Sequence, residues 1–233
     1  MSGSINNGIT LKKNGAIIYS KKFNDVMKYL ADTVCCKDAY YIYNHNPGRI
    51  LRKAEDSSDP AVWWEKRKIN KMPNYGRNLR ENKENSALIV NVNETEFLII
   101  EVRDNGRPGR EIEISNQTRS RIDCHEALSG GRVLAVTKTG LILIYEVDYS
   151  EFLGASQVKS SQIVLNTSRG DSSFWVAVCE KSEICAIQAI ERAYASRILI
   201  YSVADKTREN SITLLTELDI YSQALHYLSN ACF

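Results

Sequence analysis

The sequence lacks the features that mark membrane and exported proteins. No run approaches the roughly 20 apolar residues that a membrane-spanning helix needs. The first residues, MSGSINNGITLKK, contain no apolar signal-peptide core. The six cysteines form no Cys-x-x-Cys pair, which favours buried, reduced thiols in a cytosolic protein. We therefore expect a cytoplasmic location, with the nucleus as the alternative.

Recognisable catalytic motifs are also missing. The chain has no Gly-x-Ser-x-Gly motif and no Gly-Lys-Ser/Thr phosphate loop. The run Asp123–Glu126 groups four reactive residue types, but in a strand His125 would point away from Cys124 and Glu126. A zinc site would also need a second pair of ligands, and none is nearby. We expect no enzyme activity, no metal, no cofactor and no small-molecule substrate.

One glycine-rich run, Gly106–Arg110, could suggest a phosphate cradle. No helix is predicted to begin after it, and phosphate loops need a helix N-terminus. The run therefore predicts a hairpin turn with exposed arginines.

What the chain does contain is the composition of an ordinary soluble globular protein. Its 233 residues are 43% apolar and 25% charged. The formal net charge of +2 is too small to indicate nucleic-acid binding over the whole surface. This length suits one large β domain or two small ones.

Short apolar runs separated by turn residues predict an all-β fold. The clearest case is Arg132–Asp148, in which Gly140 interrupts two runs rich in β-branched residues. Val26–Val34 is compatible with either a strand or a short helix. The other predicted strands are the two runs of Ile9–Phe23 joined by Asn14-Gly15, then Ala39–Tyr43, Arg49–Ala54, Ala87–Val92, Glu96–Val102, Glu111–Ser115, Arg121–Leu128, Gln162–Asn166, Ser173–Glu180, Ile184–Ile190, Arg197–Val203, Ile212–Ile220 and Ala224–Phe233.

An internal repeat organises these strands. The stretches EFLIIEV, LILIYEV and RILIYSV end at Val102, Val147 and Val203, at intervals of 45 and 56 residues. Each follows another apolar run. Periods of about 40 to 50 residues with several strands per unit indicate propeller blades.

At these positions the chain resembles the tryptophan-aspartate (WD) repeat family of β-propellers. Ile144-Tyr145-Glu146-Val147 and Ile200-Tyr201-Ser202-Val203 occupy the place of the family's hydrophobic-x-Trp-Asp-hydrophobic pattern, with Ile100-Glu101-Val102 a weaker match. Neither a Trp-Asp nor a Gly-His dipeptide is present. The resemblance covers roughly Phe23 to Phe233 and implies a non-catalytic scaffold for protein or peptide partners.

We therefore predict a single β-propeller-like array, over residues 1–233, of about four to five four-stranded blades, with breaks near residues 84, 120 and 172. Because propellers of this family usually have about seven blades, we expect a fragment of a larger propeller. A β-sandwich or two small β domains would be the alternative, but either would leave the repeat unexplained.

A polar, basic segment at about residues 60–84 is predicted to be an insertion. It offers candidate contacts for RNA or a partner, namely Trp63, Trp64, Lys66, Arg67, Lys68, Lys71, Tyr75, Arg77 and Arg80. Binding of RNA there is the alternative function. The competing interpretations are a solvated segment and tryptophans that pack against the adjoining blade. The candidate contact loops for protein partners are Asn44–Gly48, Glu55–Lys83, Asp104–Arg110 and Asn166–Ser172.

Overall fold

A computed structural model describes residues 8–13, 16–22, 32–45, 48–54, 56–57, 59–65, 79–82, 84–116, 118–163, 172–179, 183–191, 195–204 and 212–221. Its strands, in chain order, are β1 (Gly8–Lys13), β2 (Ala16–Lys22), β3 (Asp32–Cys36), β4 (Ala39–His45), β5 (Gly48–Ala54), β6 (Ala61–Glu65), β7 (Leu79–Asn82), β8 (Ala87–Asn91), β9 (Glu96–Val102), β10 (Pro108–Ser115), β11 (Ile122–Leu128), β12 (Arg132–Thr137), β13 (Leu141–Val147), β14 (Ala155–Gln162), β15 (Ser172–Cys179), β16 (Ile184–Glu191), β17 (Ala195–Ser202) and β18 (Thr213–Tyr221). None of the described residues belongs to a helix that could cross a membrane.

The strands form four antiparallel four-stranded sheets, each from four consecutive strands, and β1 pairs with β2 in a separate hairpin. We call the sheets blade 1 (β3–β6), blade 2 (β7–β10), blade 3 (β11–β14) and blade 4 (β15–β18). The first strands of successive blades are neighbours, β3 with β7, β7 with β11 and β11 with β15. The first strand is therefore innermost and the fourth outermost. This arrangement confirms the predicted array of propeller-like blades.

Three apolar cores lie between successive blades. Ile50 and Tyr41 of blade 1 pack on blade 2, and Phe97 and Ile99 of blade 2 pack on blade 3. The third core joins blade 3 to blade 4 and includes Ile144. Side chains alternate between the two faces of a strand, so both faces of blades 2 and 3 are apolar and covered.

The predicted repeat is a repeat in three dimensions. The three similar stretches form β9, β13 and β17, which are the third strands of blades 2, 3 and 4. Tyr145 and Tyr201 have equivalent positions, because each lies in the core shared with the preceding blade. Each also follows a bulge in the pairing between the third and fourth strands of its blade.

The turn between the first and second strands repeats as well. Ser86, Gly131 and Glu183 precede the second strands of blades 2, 3 and 4, and all three have φ values between 48° and 75°. Their carbonyl oxygens accept hydrogen bonds from the amides of Val102, Val147 and Val203, at 2.8, 3.2 and 2.8 Å. The residue with the left-handed backbone conformation thus links this turn to the end of the third strand by a hydrogen bond.

Polar side chains from this same turn region join each blade to the next. Lys37 Nζ donates to Val102 O at 3.0 Å, and Asn82 Nδ2 donates to the Tyr149 hydroxyl at 3.0 Å. Arg132 Nη1 donates to Val203 O at 2.9 Å. We call these contacts inter-blade latches. Their directional bonds fix how one blade sits on its neighbour, which apolar contact alone does not.

Both ends of the predicted insertion at about residues 60–84 form strands of neighbouring blades, and residues 66–78 between them lie outside the described part of the chain. Ala61–Glu65 is the outermost strand of blade 1, and Leu79–Asn82 is the innermost strand of blade 2. The break between these blades lies between residues 65 and 79, not near residue 84. The charges of Leu79–Asn82 suggested an exposed segment, but Arg80 is neutralised by a partner inside the protein.

The end of blade 3 holds a strand that the sequence analysis did not predict, since the fourth strand is Ala155–Gln162. Of the predicted strand Gln162–Asn166, Gln162 is the last residue of β14, Ile163 follows it, and residues 164–166 lie outside the described part of the chain. The sequence of β14, ASQVKSSQ, carries little apolar signal because an outermost strand is mostly solvated. Residues 224–233 lie outside the described part of the chain, as do residues 26–31 of Val26–Val34, whose last residues belong to β3.

The Arg132 latch provides a test of this arrangement. Arg132 is 6% exposed and also donates to Glu183 Oε1 at 3.2 Å. We expect Arg132→Met to lower the free energy of unfolding by about 2 to 3 kcal/mol, because it leaves the Val203 carbonyl without that donor. Urea unfolding measures this loss. Arg119→Met, which removes an exposed arginine, should change stability by less than about 0.5 kcal/mol. Equal losses in the two variants would contradict the latch.

Candidate functional site

The sequence-predicted contact residues fall into two groups. Lys66, Arg67, Lys68, Lys71, Tyr75 and Arg77 lie outside the described part of the chain. Trp63, Trp64 and Arg80 are described, and all three are buried, with exposed fractions of 8 to 9%. In this structure those three side chains are not available to stack on a base or to meet a partner at the surface.

The two tryptophans pack in the core between blades 1 and 2. Trp63 Nε1 donates to Gly106 O at 2.7 Å, and its ring meets the Tyr41 ring edge-on at 4.9 Å. Trp64 Nε1 donates to Glu111 Oε1 at 2.6 Å. Both indole N–H groups therefore have an acceptor on blade 2, as buried tryptophans require.

Arg80 belongs to an interior ion pair between the innermost strands of blades 2 and 3. Its Nε lies 2.6 Å from Glu126 Oε2, and Nη1 donates to Leu79 O at 2.8 Å. The two side chains are 10% and 18% exposed. A carboxylate and a guanidinium so placed neutralise each other, and they do not form a basic surface.

The side chains of the run Asp123–Glu126 pack in the cores and make contacts between blades. Cys124 lies in the core between blades 3 and 4, whereas the His125 ring stacks on Phe97 on the side of blade 2. Asp123 Oδ2 accepts the Phe174 amide at 2.8 Å and so joins β11 to β15. The opposite directions of Cys124 and His125 confirm the prediction, and no cluster of metal-ligand side chains occurs among the described residues.

Burial controls the protonation of this run. Burial and then the nearby Arg80 charge lower the pKa of His125 to about 3, so its imidazole is neutral at pH 7. Burial raises the pKa of Cys124 well above its usual value, which removes thiolate character. With a pKa this low His125 is a weak proton acceptor at pH 7, and Cys124 is a thiol and not the nucleophilic thiolate.

The candidate loop that the structure describes in full is Asp104–Arg110, the hairpin between β9 and β10. We call residues 103–110 the rim loop. Gly106, at φ 73°, donates its amide to Arg103 O at 2.8 Å. The Arg107 amide donates to Asn105 Oδ1 at 3.0 Å, and the Arg103 amide donates to Arg107 O at 3.1 Å. This confirms the predicted hairpin turn.

Both neighbouring blades hold the rim loop in place. From blade 1, Trp63 binds the Gly106 carbonyl, and Lys37 Nζ lies 2.8 Å from Asp104 Oδ1. From within the loop, Arg110 Nη1 donates to Glu151 O of blade 3, and its guanidinium lies 5.3 Å from the centre of the Phe152 ring. Backbone and side chains of the loop are thus bonded to blades 1 and 3 as well as to its own blade 2, which makes it a rigid part of the surface.

The rim loop presents arginines to solvent. The side chains of Arg103 and Arg110 are 54% and 49% exposed, and both lie near Glu101, at 3.9 and 3.5 Å. The Arg110 amide and guanidinium hold the pKa of Glu101 below its ordinary value. Arg107 is exposed and makes no ion pair with the residues that the structure describes. Its charge is available for a partner.

Sequence reasoning found this loop but missed what rigidifies it. Asp104-Asn105-Gly106 signals a turn by its own chemistry. Lys37 and Trp63 are 67 and 43 residues away from their partners, and no local pattern links them to it.

The buried His125 predicts how the stability of the fold depends on pH. The unfolded chain takes up a proton near the ordinary pKa of 6.5, whereas the folded protein does so only near 3. Protonation therefore favours unfolding, and stability falls as the pH drops below 6.5. We expect this residue to contribute a loss of about 2 kcal/mol between pH 7 and pH 5. His125→Phe should remove that part of the pH dependence in urea unfolding, and an unchanged dependence would contradict the assignment.

Comparisons with solved structures agree with the architecture. No family model and no curated protein matches the sequence. The fold is similar to that of Raptor from Chaetomium thermophilum, with a TM-score of 0.61 and 10% identity over 94% of this chain and 19% of that one. It is also similar to the Cps50 (Swd1) β-propeller domain of Myceliophteria thermophila, with a TM-score of 0.60 and 11% identity over 93% and 68%.

Apo AztD from Citrobacter koseri is a third similar structure, with a TM-score of 0.53 and 11% identity over 91% of this chain and 56% of that one. The chain therefore spans about a fifth of the Raptor chain and just over half of AztD. At these identities the likeness concerns the fold alone. The described part of the chain is an all-β array of four propeller-like blades with a separate β1–β2 hairpin.

Proposed function

We propose that this protein is a non-catalytic scaffold that binds other proteins, with the rim loop as a contact surface. The observation that carries this proposal is a rigid, arginine-bearing loop bonded to three blades. Rigid scaffolds that carry exposed loops are a common way to build binding sites. Arginine is enriched in protein interfaces because its planar, weakly hydrated guanidinium makes several directed hydrogen bonds.

The charge of the rim loop indicates the chemistry of the partner. Arg103, Arg107 and Arg110 outnumber Asp104 within the loop, and Lys37 already pairs with Asp104. An acidic segment of a partner could accept hydrogen bonds from Arg107 without breaking an ion pair among the described residues. Preorganisation of the loop lowers the entropy that binding would otherwise cost.

Charge-matched variants test this proposal. Arg107→Asn removes the rim-loop arginine that makes no ion pair with a described residue, whereas Arg119→Asn removes one exposed charge on a different loop. We expect Arg107→Asn to weaken capture of protein partners from cell extract by about fivefold, equivalent to about 1 kcal/mol. Quantitative mass spectrometry of affinity-purified wild type and variants gives the measurement, and Arg119→Asn should behave as wild type.

A nuclease-treated sample separates protein from RNA partners. If the captured proteins persist after nuclease treatment and depend on Arg107, the scaffold proposal is supported. Capture that disappears with nuclease and is unchanged in Arg107→Asn would support the RNA alternative. Both variants should first show wild-type urea unfolding, so that a lost partner reflects the surface and not the fold.

A further inference from the structure

The junction of blades 1 and 2 holds an arginine that faces the rim loop. Arg52 lies on β5 two residues after Ile50, so its side chain points towards blade 2 as that of Ile50 does. Its guanidinium lies against Gly106, because a methyl group added to that glycine would be 2.7 Å from Arg52 Nη2 and 2.8 Å from Arg52 Cζ. The missing side chain of Gly106 therefore leaves room for a cation of blade 1 at this loop.

The Arg52 side chain has no anionic partner among the residues that the structure describes. It is half-buried, and its Nε is buried without a hydrogen-bond partner in the described structure. Burial raises the pKa of the nearby Tyr41 hydroxyl, and a hydrogen bond and the charge of Arg52 oppose that rise. A buried donor without an acceptor costs free energy, so binding of an anion to this guanidinium would be favoured.

Arg107 brings a second unpaired guanidinium to the same place. It follows Gly106 directly, so its Cα lies about 3.8 Å from that of the glycine on which Arg52 rests. An arginine side chain extends further than this separation, and both guanidinium groups can therefore reach one ligand. A phosphoryl group matches such a pair, because it carries close to two negative charges and three acceptor oxygens. A single carboxylate would neutralise one of the two arginines.

Carboxylates around this pair favour a small anion over a nucleic-acid strand. Asp104 lies in the rim loop and pairs with Lys37 at 2.8 Å. Glu101 lies within 3.9 Å of the two other arginines of the loop. A strand with a charge at every nucleotide would meet these carboxylates, and the buried rings of Tyr41 and Trp63 offer no face for base stacking. A single phosphoryl group on a protein segment avoids both problems.

We propose that Arg52 and Arg107 together bind one phosphoryl group of a phosphorylated protein segment at the junction of blades 1 and 2. This inference rests on the proposed scaffold function, since it names the group that the partner presents to the rim loop. Guanidinium groups bind phosphoryl oxygens through paired, parallel hydrogen bonds. Phosphorylation of the partner would therefore control its binding to the scaffold.

Peptide libraries test the site directly. Three labelled libraries have random flanking residues and one fixed central residue, which is phosphoserine, glutamate or serine. We expect the full chain to bind the phosphoserine library at least about tenfold more tightly than the glutamate library, because only the phosphoryl group engages both arginines. The serine library should bind more weakly than either. Fluorescence anisotropy gives the affinities.

Substitutions test the role of each arginine. Arg52→Gln and Arg107→Asn should each weaken binding of the phosphoserine library by about tenfold. Arg52→Lys keeps the charge but loses the planar fork, so it should weaken binding by only about threefold. Arg119→Asn is the matched control and should bind as the wild type does. Urea unfolding establishes that each variant is folded, and Arg107→Asn keeps the test valid if a change at Arg52 disturbs the junction.

Phosphatase treatment separates this inference from the proposed function. Partner capture that depends on Arg107 but persists after phosphatase treatment of the extract would leave the scaffold proposal standing and overturn the phosphoryl site. Capture that is independent of Arg107 would instead contradict the rim loop as a contact surface. The peptide measurement decides the phosphoryl site in either case.

Three outcomes of the peptide measurement would overturn the inference. Affinity for the phosphoserine library that does not exceed that for the glutamate library would contradict the selection of a phosphoryl group. Phosphoserine binding that is unchanged in both Arg52→Gln and Arg107→Asn would place the phosphoryl group elsewhere. A single-stranded oligouridine that displaces the phosphoserine library, and whose binding falls steeply with salt, would assign the site to RNA.

Discussion

Packing of one apolar sheet face on the next is the interaction on which the whole structure depends. A four-stranded sheet with aliphatic side chains on both faces cannot be stable alone in water, because it would expose both faces. Blades 2 and 3 are covered on both sides, and residues such as Ile99 and Ile144 become fully buried. Each such side chain contributes about 1.5 to 3 kcal/mol relative to an exposed one. The blades therefore stabilise one another in series.

Apolar packing is not directional, so other interactions must determine how the blades align. Lys37, Asn82 and Arg132 do this through hydrogen bonds from the region of the turn between the first and second strands of successive blades. On the innermost strands, the Arg80–Glu126 ion pair and the bond from the Phe174 amide to Asp123 have the same effect. Removing one partner from such a buried pair is costly, which makes the alignment specific.

This rigidity connects the fold to the proposed function. The interior of the described blades is occupied by side chains that pack or pair, and the neutral His125 is one of them. The exposed chemistry lies at the edges, where the rim loop is held by Trp63 and Lys37 from blade 1. A loop that is already ordered before binding can present Arg107 to a partner at low entropic cost. That distribution supports the proposed binding at the edge of the blades.

Local sequence patterns were sufficient for most strands and for the repeat. Short β-branched runs and turn residues such as Gly140 determine strands and turns through interactions within a few residues. The repeated third strand can be recognised in the sequence because this strand packs in the same way in each blade. Local patterns failed for β7 and β14, because the position of a strand in its blade outweighs its composition. An innermost strand can bury Arg80 beside a partner, and an outermost strand can remain polar.

The burial of Trp63, Trp64 and Arg80 was decided only by the tertiary structure. Their partners, Gly106, Glu111 and Glu126, lie more than 40 residues away. Whether a charged or aromatic side chain is buried depends on which blade packs against it, and that neighbour is not encoded within its own stretch of chain.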